Sequence, residues 1–185
     1  MPPHYRKSAT LTLEKFHFKK FRIKYLNPSF SWRADCIRRC GGTRKSGREW
    51  ETFRDHCYLW ERTPINWYGA RHACEREGFH LASITSNAIN DWMVVGMANR
   101  SMDNVWIGGT DKDKEGTWKW TDGSPFNFTR WRPPKQPDNY KGREDCLHIT
   151  MEPTSIFEDW SEPLWNDWPC TNEGEGYVCA KRKCQ

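Results

Sequence analysis

The chain has 185 residues, a net charge of +5 and an unusually dense aromatic set of 12 Trp, 9 Phe and 6 Tyr. That length holds one sizeable domain plus a tail, and the aromatics supply enough apolar area for a real core. No run of about 18 apolar residues occurs, so no membrane span is expected, and nothing in the pattern calls for a nucleic-acid partner.

Charge is distributed unevenly. Residues 1–56 carry 14 Lys and Arg against 5 Asp and Glu, while residues 57–185 are mildly acidic. Residues 1–35 have scattered aromatics and no period, and read as a flexible basic arm. Contact with a sulfated glycan or anionic lipid competes there with a simply solvated tail, and the tail is the favoured reading. The opening 25 residues contain no apolar stretch of the signal-peptide kind. Residues 36–185 form the expected domain, with its core at 50–180.

Trp50–Phe53 and His56–Trp60 alternate aromatics and predict two short strands. Ile65–Gly78 has helical spacing through Trp67, Ala70, Arg71 and Cys74, with Gly78 as its stop. Phe79–Ile84 is an apolar connection. Ser86–Asn99 predicts a second helix, capped by Thr85 or Ser86, whose buried stripe is Ile89, Trp92, Met93, Gly96 and Met97. Short strands follow at Val105–Gly109 and Thr117–Trp120. Residues 121–145 are long, polar and aperiodic, a pattern that marks a functional loop or disorder. Cys146–Ile149 and Gly176–Cys179 close the domain as strands.

Eight cysteines without a Cys-x2-Cys pair point to disulfides and an oxidising compartment rather than to zinc. A secreted protein is therefore expected. A shortened chain, a wrongly assigned start and a mature fragment all reconcile that reading with the opening residues.

The most informative residues are Gln136-Pro137-Asp138, Glu144 and Trp165-Asn166-Asp167. They gather five oxygen-bearing side chains into two short stretches. Calcium takes six to eight oxygen ligands of this kind, and an ion with open positions can hold further oxygens such as sugar hydroxyls. A lone Gln-Pro-Asp is an ordinary polar turn; the three groups together are not.

From Trp50 to Cys179 the chain resembles the C-type lectin-like domain. The landmarks run in order: Trp50, Phe53, Cys57-Tyr58, Cys74, Trp106-Ile107-Gly108, Gln136-Pro137-Asp138, Glu144-Asp145-Cys146, Trp165-Asn166-Asp167, Cys170 and Cys179. Gly109 departs from the leucine usual after Trp-Ile-Gly. The resemblance implies an α+β fold, two helices flanking small antiparallel sheets, with a long calcium-binding loop region and disulfide staples. It implies the bonds Cys74–Cys179 and Cys146–Cys170. A long-form hairpin bond would join Cys40 to Cys57, although Cys40 lies further upstream than the usual partner. Cys36–Cys184 then remains, with an interchain bond as its alternative.

The same resemblance implies a primary calcium and sugar site at Gln136, Asp138, Glu144, Asn166 and Asp167, with a cis bond at Pro137. A second ion would use Asp111, Glu115, Asn139 and Asp145. The Gln-Pro-Asp order resembles galactose and N-acetylgalactosamine binders rather than mannose binders. Tyr140 stands where such members stack a tryptophan on the sugar's apolar face, but the glycine-rich insert that positions that ring is missing. Trp131 and Trp168 read as core or loop anchors.

Asn99-Arg100-Ser101 and Asn127-Phe128-Thr129 are glycosylation sequons, of which Asn127 is the better candidate. An enzyme is not expected: no nucleophile elbow or zinc-protease helix motif occurs, and His56, His72, His80 and His148 are scattered. The rival reading is an extracellular matrix or biomineral interaction module, perlucin-like or matrix-proteoglycan-lectin-like, that binds protein or mineral through calcium-organised loops. A homo-oligomer is possible under either reading.

Overall fold

The computed structural model describes residues 49–151 and 164–182. The basic arm at 1–35, Cys36, Cys40 and Cys184 lie outside those residues. Strands β1 (Glu49–Phe53) and β2 (His56–Glu61) form an antiparallel hairpin. Helix α1 (Trp67–Arg76), strand β3 (His80–Leu81) and helix α2 (Asn87–Ala98) follow. Then come β4 (Asn104–Thr110), β5 (Lys119–Trp120), a 3-10 turn (Tyr140–Gly142), β6 (Cys146–Thr150), β7 (Leu164–Trp168) and β8 (Gly176–Arg182).

Local chemistry sets the helix ends. Asn66 stops α1 from starting at Ile65, because its Oδ1 accepts the Gly69 N–H at 2.9 Å and holds extended backbone. Ile65 instead bridges Gly174. At the other end Gly78 adopts φ +75°, and the Gly78 and Phe79 N–H groups return to the Glu75 and Cys74 carbonyls at 3.0 Å. That is a Schellman closure, which favours glycine at the left-handed position. Ser86, not Thr85, caps α2 through the Ile89 N–H. β5 is shorter than the Thr117–Trp120 expectation, because the Thr117 N–H closes a turn onto the Lys114 carbonyl.

The strands join into one eight-stranded sheet, ordered β1-β2-β8-β4-β6-β7, with β3 on β8 and β5 on β4. Two antiparallel halves meet at a narrow parallel seam, Val105 with Gly176 and Trp106 with Tyr177. The expected small antiparallel sheets are these halves, and the seam makes them one.

Alternation along the strands divides the core. Tyr58, Trp60, Val105, Ile107, Leu147, Ile149, Val178 and Ala180 face the α2 residues Ile89, Met93 and Met97. Cys57, Leu59, Trp106, Cys146, Tyr177 and Cys179 face Trp67, Ala70 and Cys74 of α1. Disulfides Cys74–Cys179 and Cys146–Cys170 lie in this second layer, as the resemblance implied. Cys57 is also disulfide-bonded, to a partner outside the described residues. The departure at Gly109 is explained by packing: a Cβ there would meet Leu147 Cδ1 at 2.7 Å, so Leu147 fills the space. Trp92 is half-buried rather than buried, stacking on Phe53 at 5.1 Å, while Asn90 takes a buried place beside the stripe.

Strand β7 is the main element absent from the sequence reading. Its pairing with β6 sets Leu147 against Asp167 and His148 against Asn166. On its other edge the Trp165 N–H reaches the Arg130 carbonyl at 2.8 Å, and the Arg132 N–H returns to the Trp165 carbonyl at 2.9 Å. The Trp165 ring is fully buried among Trp120, Phe126, Phe128 and Trp131, and its Nε1 donates to Asn90 Oδ1 at 3.0 Å. The long segment 121–145 is therefore tethered through its aromatic first half. Trp131 is the anchor expected of it.

Candidate functional site

The tether delivers the site. Arg130 and Arg132 lie along the free edge of β7, the Gln136 N–H bonds the Arg132 carbonyl at 3.1 Å, and the Gln136–Pro137 bond is cis. Asp138 thereby arrives beside Asp167. The Asp138 and Asn139 N–H groups donate to Asp167 Oδ1 and Oδ2 at 3.2 and 2.7 Å. Glu144 is held in the same way. Its Oε2 accepts the Tyr140 N–H at 2.9 Å, and its own N–H reaches Asn139 Oδ1 at 3.1 Å.

Carboxylate oxygens of Asp138, Glu144 and Asp167 come within 4.8 Å of one another. Glu144 and Asp167 are buried, Asp138 exposed. Asp138 and Glu144 share the wall of one cavity of about 280 Å³ with Gln136, Asn166, Arg132, Tyr140, His148 and Trp168, and Asp167 lies beside it through its contacts with Asp138 and Asn139. All five residues read as primary ligands from the sequence are thus gathered. Gln136 Nε2 donates to Asp138 Oδ1 at 3.1 Å. Both amide hydrogens of Asn166 are committed, to the Asp167 carbonyl and to His148 Nε2. Of the two amides, Gln136 is the one at the exposed side of the cluster.

Electrostatics fit a cation. Burial pushes Glu144 up to about 7, and the nearby charges of Asp167 and Asp138 add to the effect against the Tyr140 N–H. Burial also raises Asp167, opposed by the Asn139 and Asp138 N–H groups. Carboxylates held above their ordinary range are crowded and poorly solvated, which is the state a hard divalent ion relieves.

A second cluster lies beside the first. Carboxylate oxygens of Asp111, Glu115 and Asp145 also converge within 4.8 Å. Asp111 is buried, with Oδ2 accepting the Gly116 N–H at 2.9 Å and Oδ1 without a hydrogen-bond partner among the described residues. A buried, unsatisfied carboxylate oxygen is costly unless something positive meets it. Burial pushes Asp111 up to about 6, with the Glu115 and Asp145 charges contributing. Asn139 links the clusters, donating through Nδ2 to Glu115 Oε2.

Tyr140 is 61% exposed, and the Lys141 ammonium lies 4.9 Å from its ring centroid. Five residues of the cavity wall were not read as part of the site from the sequence: Asn104, Thr150, Arg132, His148 and Trp168. Arg132 Nη2 is 3.3 Å from Asn166 Oδ1. His148 is buried, stacked on Trp168 at 4.7 Å, and held neutral because burial and then the Arg132 charge depress it to about 3. Trp168, read as an anchor, does anchor His148 but also lines the cavity. Pairing β7 with β6 is the signal that would have exposed His148, since it places that residue opposite Asn166. Asn99 and Asn127 are both exposed. Among the described residues no helix is long and apolar enough to cross a membrane.

Comparison with known proteins agrees with the fold. The Lectin C-type domain family matches residues 63–181. The chain is 34% identical over 155 residues to hepatic lectin of Gallus gallus, covering 83% of this chain and 66% of that protein. It is 31% identical over 134 residues to the galactose-specific lectin nattectin of Thalassophryne nattereri, covering 71% and 77%. The carbohydrate-recognition domain of the mouse scavenger receptor C-type lectin superposes with a TM-score of 0.60 at 32% identity, covering 74% of this chain and 95% of that one. The chain spans less than two thirds of the length of several curated relatives, hepatic lectin included. These are carbohydrate-binding domains, not enzymes. The chain belongs to the C-type lectin domain family.

Proposed function

We propose that this domain binds calcium through Gln136, Asp138, Glu144, Asn166 and Asp167, and through the ion a glycan ending in galactose or N-acetylgalactosamine. The observation that carries the reading is the convergence of three carboxylates within 4.8 Å, two of them in the wall of a cavity that also holds Gln136 and Asn166. A bound calcium supplies coordination positions for two adjacent sugar hydroxyls. The chain's own residues do the rest. Asp138 and Glu144 offer acceptor lone pairs to the hydroxyl protons, and Gln136 offers an N–H donor. Asp167 and Asn166 stay fixed by the backbone and by His148, so little freedom is lost when a ligand arrives.

The acid-after-proline order favours a hydroxyl pair with an axial 4-OH, as in galactose. A relative named galactose-specific supports the preference. Tyr140 offers a ring for the sugar's apolar face, a contact of about 1 kcal/mol. A second, weaker ion sits at Asp111, Glu115, Asp145 and Asn139, supported by the unsatisfied Asp111 oxygen. The domain acts outside the cell, with Asn127 and Asn99 as acceptors for N-glycans.

A glycan array run in calcium and in EDTA tests the reading. Calcium-dependent binding to terminal galactose or N-acetylgalactosamine is the expected outcome. Preference for mannose or fucose would overturn the sugar assignment. Ligand capture that free galactose does not compete would transfer the domain to the matrix or mineral interaction class.

A further inference from the structure

The stretch that carries Gln136 and Asp138 is strongly cationic. From Arg130 to Arg143 it holds Arg130, Arg132, Lys135, Lys141 and Arg143 against one acid, Asp138. Such cations either neutralise the carboxylates of the site or face an anionic ligand. Their partners decide between the two. Arg132, Lys135, Lys141 and Arg143 form no ion pair among the described residues. Elsewhere on the surface Arg71 and Lys119 have found Glu75 and Asp113. Among the described residues none of these four is spent in an ion pair with an acid of the site.

Two of them are placed to meet a ligand. Arg132 lies in the cavity wall with Gln136, Asp138, Glu144 and Tyr140, and its only side-chain bond among the described residues is the long one to the neutral Asn166 amide oxygen. Lys141 covers the face of the exposed Tyr140 ring. A neutral sugar that stacks on that face must displace an ammonium, which costs part of the stacking gain. A sugar that brings its own negative charge meets the same ammonium as a partner.

We propose that the site takes galactose-type sugars carrying an anionic group on carbon 6, sulfate ester or carboxylate, with Lys141 and Arg132 as the cations that select it. The inference rests on the calcium and galactose reading above. In a pyranose the only hydroxyl adjacent to the 4-OH and able to share an ion with it is the 3-OH. Carbon 6 is therefore left free to carry charge, whereas an anion on O3 removes one of the coordinating hydroxyls.

The test is competition for a lactose-bearing surface by four methyl galactosides: neutral, 6-sulfated, 3-sulfated and the uronate. Each is measured in calcium and in EDTA, with the full chain. The 6-sulfate is expected to inhibit about five- to tenfold better than the neutral sugar at low salt, and the advantage should shrink at about 0.5 M NaCl. Lys141→Gln should bring the ratio of the two towards one, and Lys141→Arg should restore it. A uronate matching the 6-sulfate supports the shared anion chemistry, while a weak uronate narrows it to the sulfate ester. Equal inhibition by neutral and 6-sulfated sugar, in a protein that binds galactose, overturns the inference and leaves the galactose reading standing. Failure of every sugar in calcium defeats that reading and the inference with it. A 6-sulfate effect that persists in EDTA, or a 3-sulfate as good as the 6-sulfate, overturns the inference alone.

Discussion

The two carboxylate clusters lie side by side and carry the same number of acids, yet they are built differently. Asp138, Glu144 and Asp167 rest on strand β7 and on backbone N–H groups that already hold Glu144 and Asp167 in place. Asp111, Glu115 and Asp145 mix a buried, an exposed and a half-buried acid, and one Asp111 oxygen has no partner among the described residues. The first cluster is preorganised from beneath and has two amides to complete its coordination. The second leans on a turn and on Asn139. Affinity of an oxygen site follows ligand charge and rigidity together, so equal charge here does not mean equal binding.

The largest expected effect lies in the first cluster. Asp167→Asn removes a ligand charge and unsettles the two N–H groups it accepts. Calcium affinity at that site should fall at least about 100-fold, and calcium-dependent galactose binding should vanish, as read by calorimetry and array. Retained sugar binding would break the comparison.

Next comes pH. In the ion-free fold Glu144 and Asp111 hold their protons up to about 7 and about 6, above their ordinary values of 4.5 and 3.8. The stability they contribute is present at low pH and is lost as pH rises through those values. Calcium needs the charged forms, so its affinity should fall about tenfold or more from pH 8 to pH 5. The calcium-induced rise in Tm should therefore be small at pH 5 and large at pH 8. A pH-independent rise would refute the assignment of these acids to the ion sites.

Glu115→Gln probes the second cluster alone. It should weaken the lesser ion about tenfold while sugar affinity changes by no more than about threefold, measured by two-site calorimetry. Equal damage to both ions would mean that Asn139 couples the clusters into one unit. The smallest effect belongs to Tyr140→Ala, which should cost galactose about fivefold or less and leave calcium affinity unchanged.

Much of this was legible in the residues. The five primary acids and amides and the second set were readable because polar chemistry at fixed spacing survives without coordinates. The helix ends were readable to within two residues, since Asn66, Gly78 and Ser86 act through their own side chain or backbone freedom. Strand β7 was not. Leu164–Trp168 has no clean alternation in polarity, because Asn166 and Asp167 are both drawn inward by the site. Arg132 and His148 were missed for the same reason: each matters only through a neighbour far away in the chain.

The sequence by itself determined the family, the Cys74–Cys179 and Cys146–Cys170 bonds that its resemblance implied, and the oxygen-bearing side chains that the fold brings together. These follow from residue type and order, which folding does not change. Only the tertiary structure decided where those oxygens meet and what surrounds them. The edge of β7 against Arg130–Arg132 closes a separation of about thirty residues, and burial turns ordinary carboxylates into ones that hold their protons near neutrality. It also placed Lys141 on the Tyr140 ring with no carboxylate partner among the described residues, a fact of packing and distance that no motif carries.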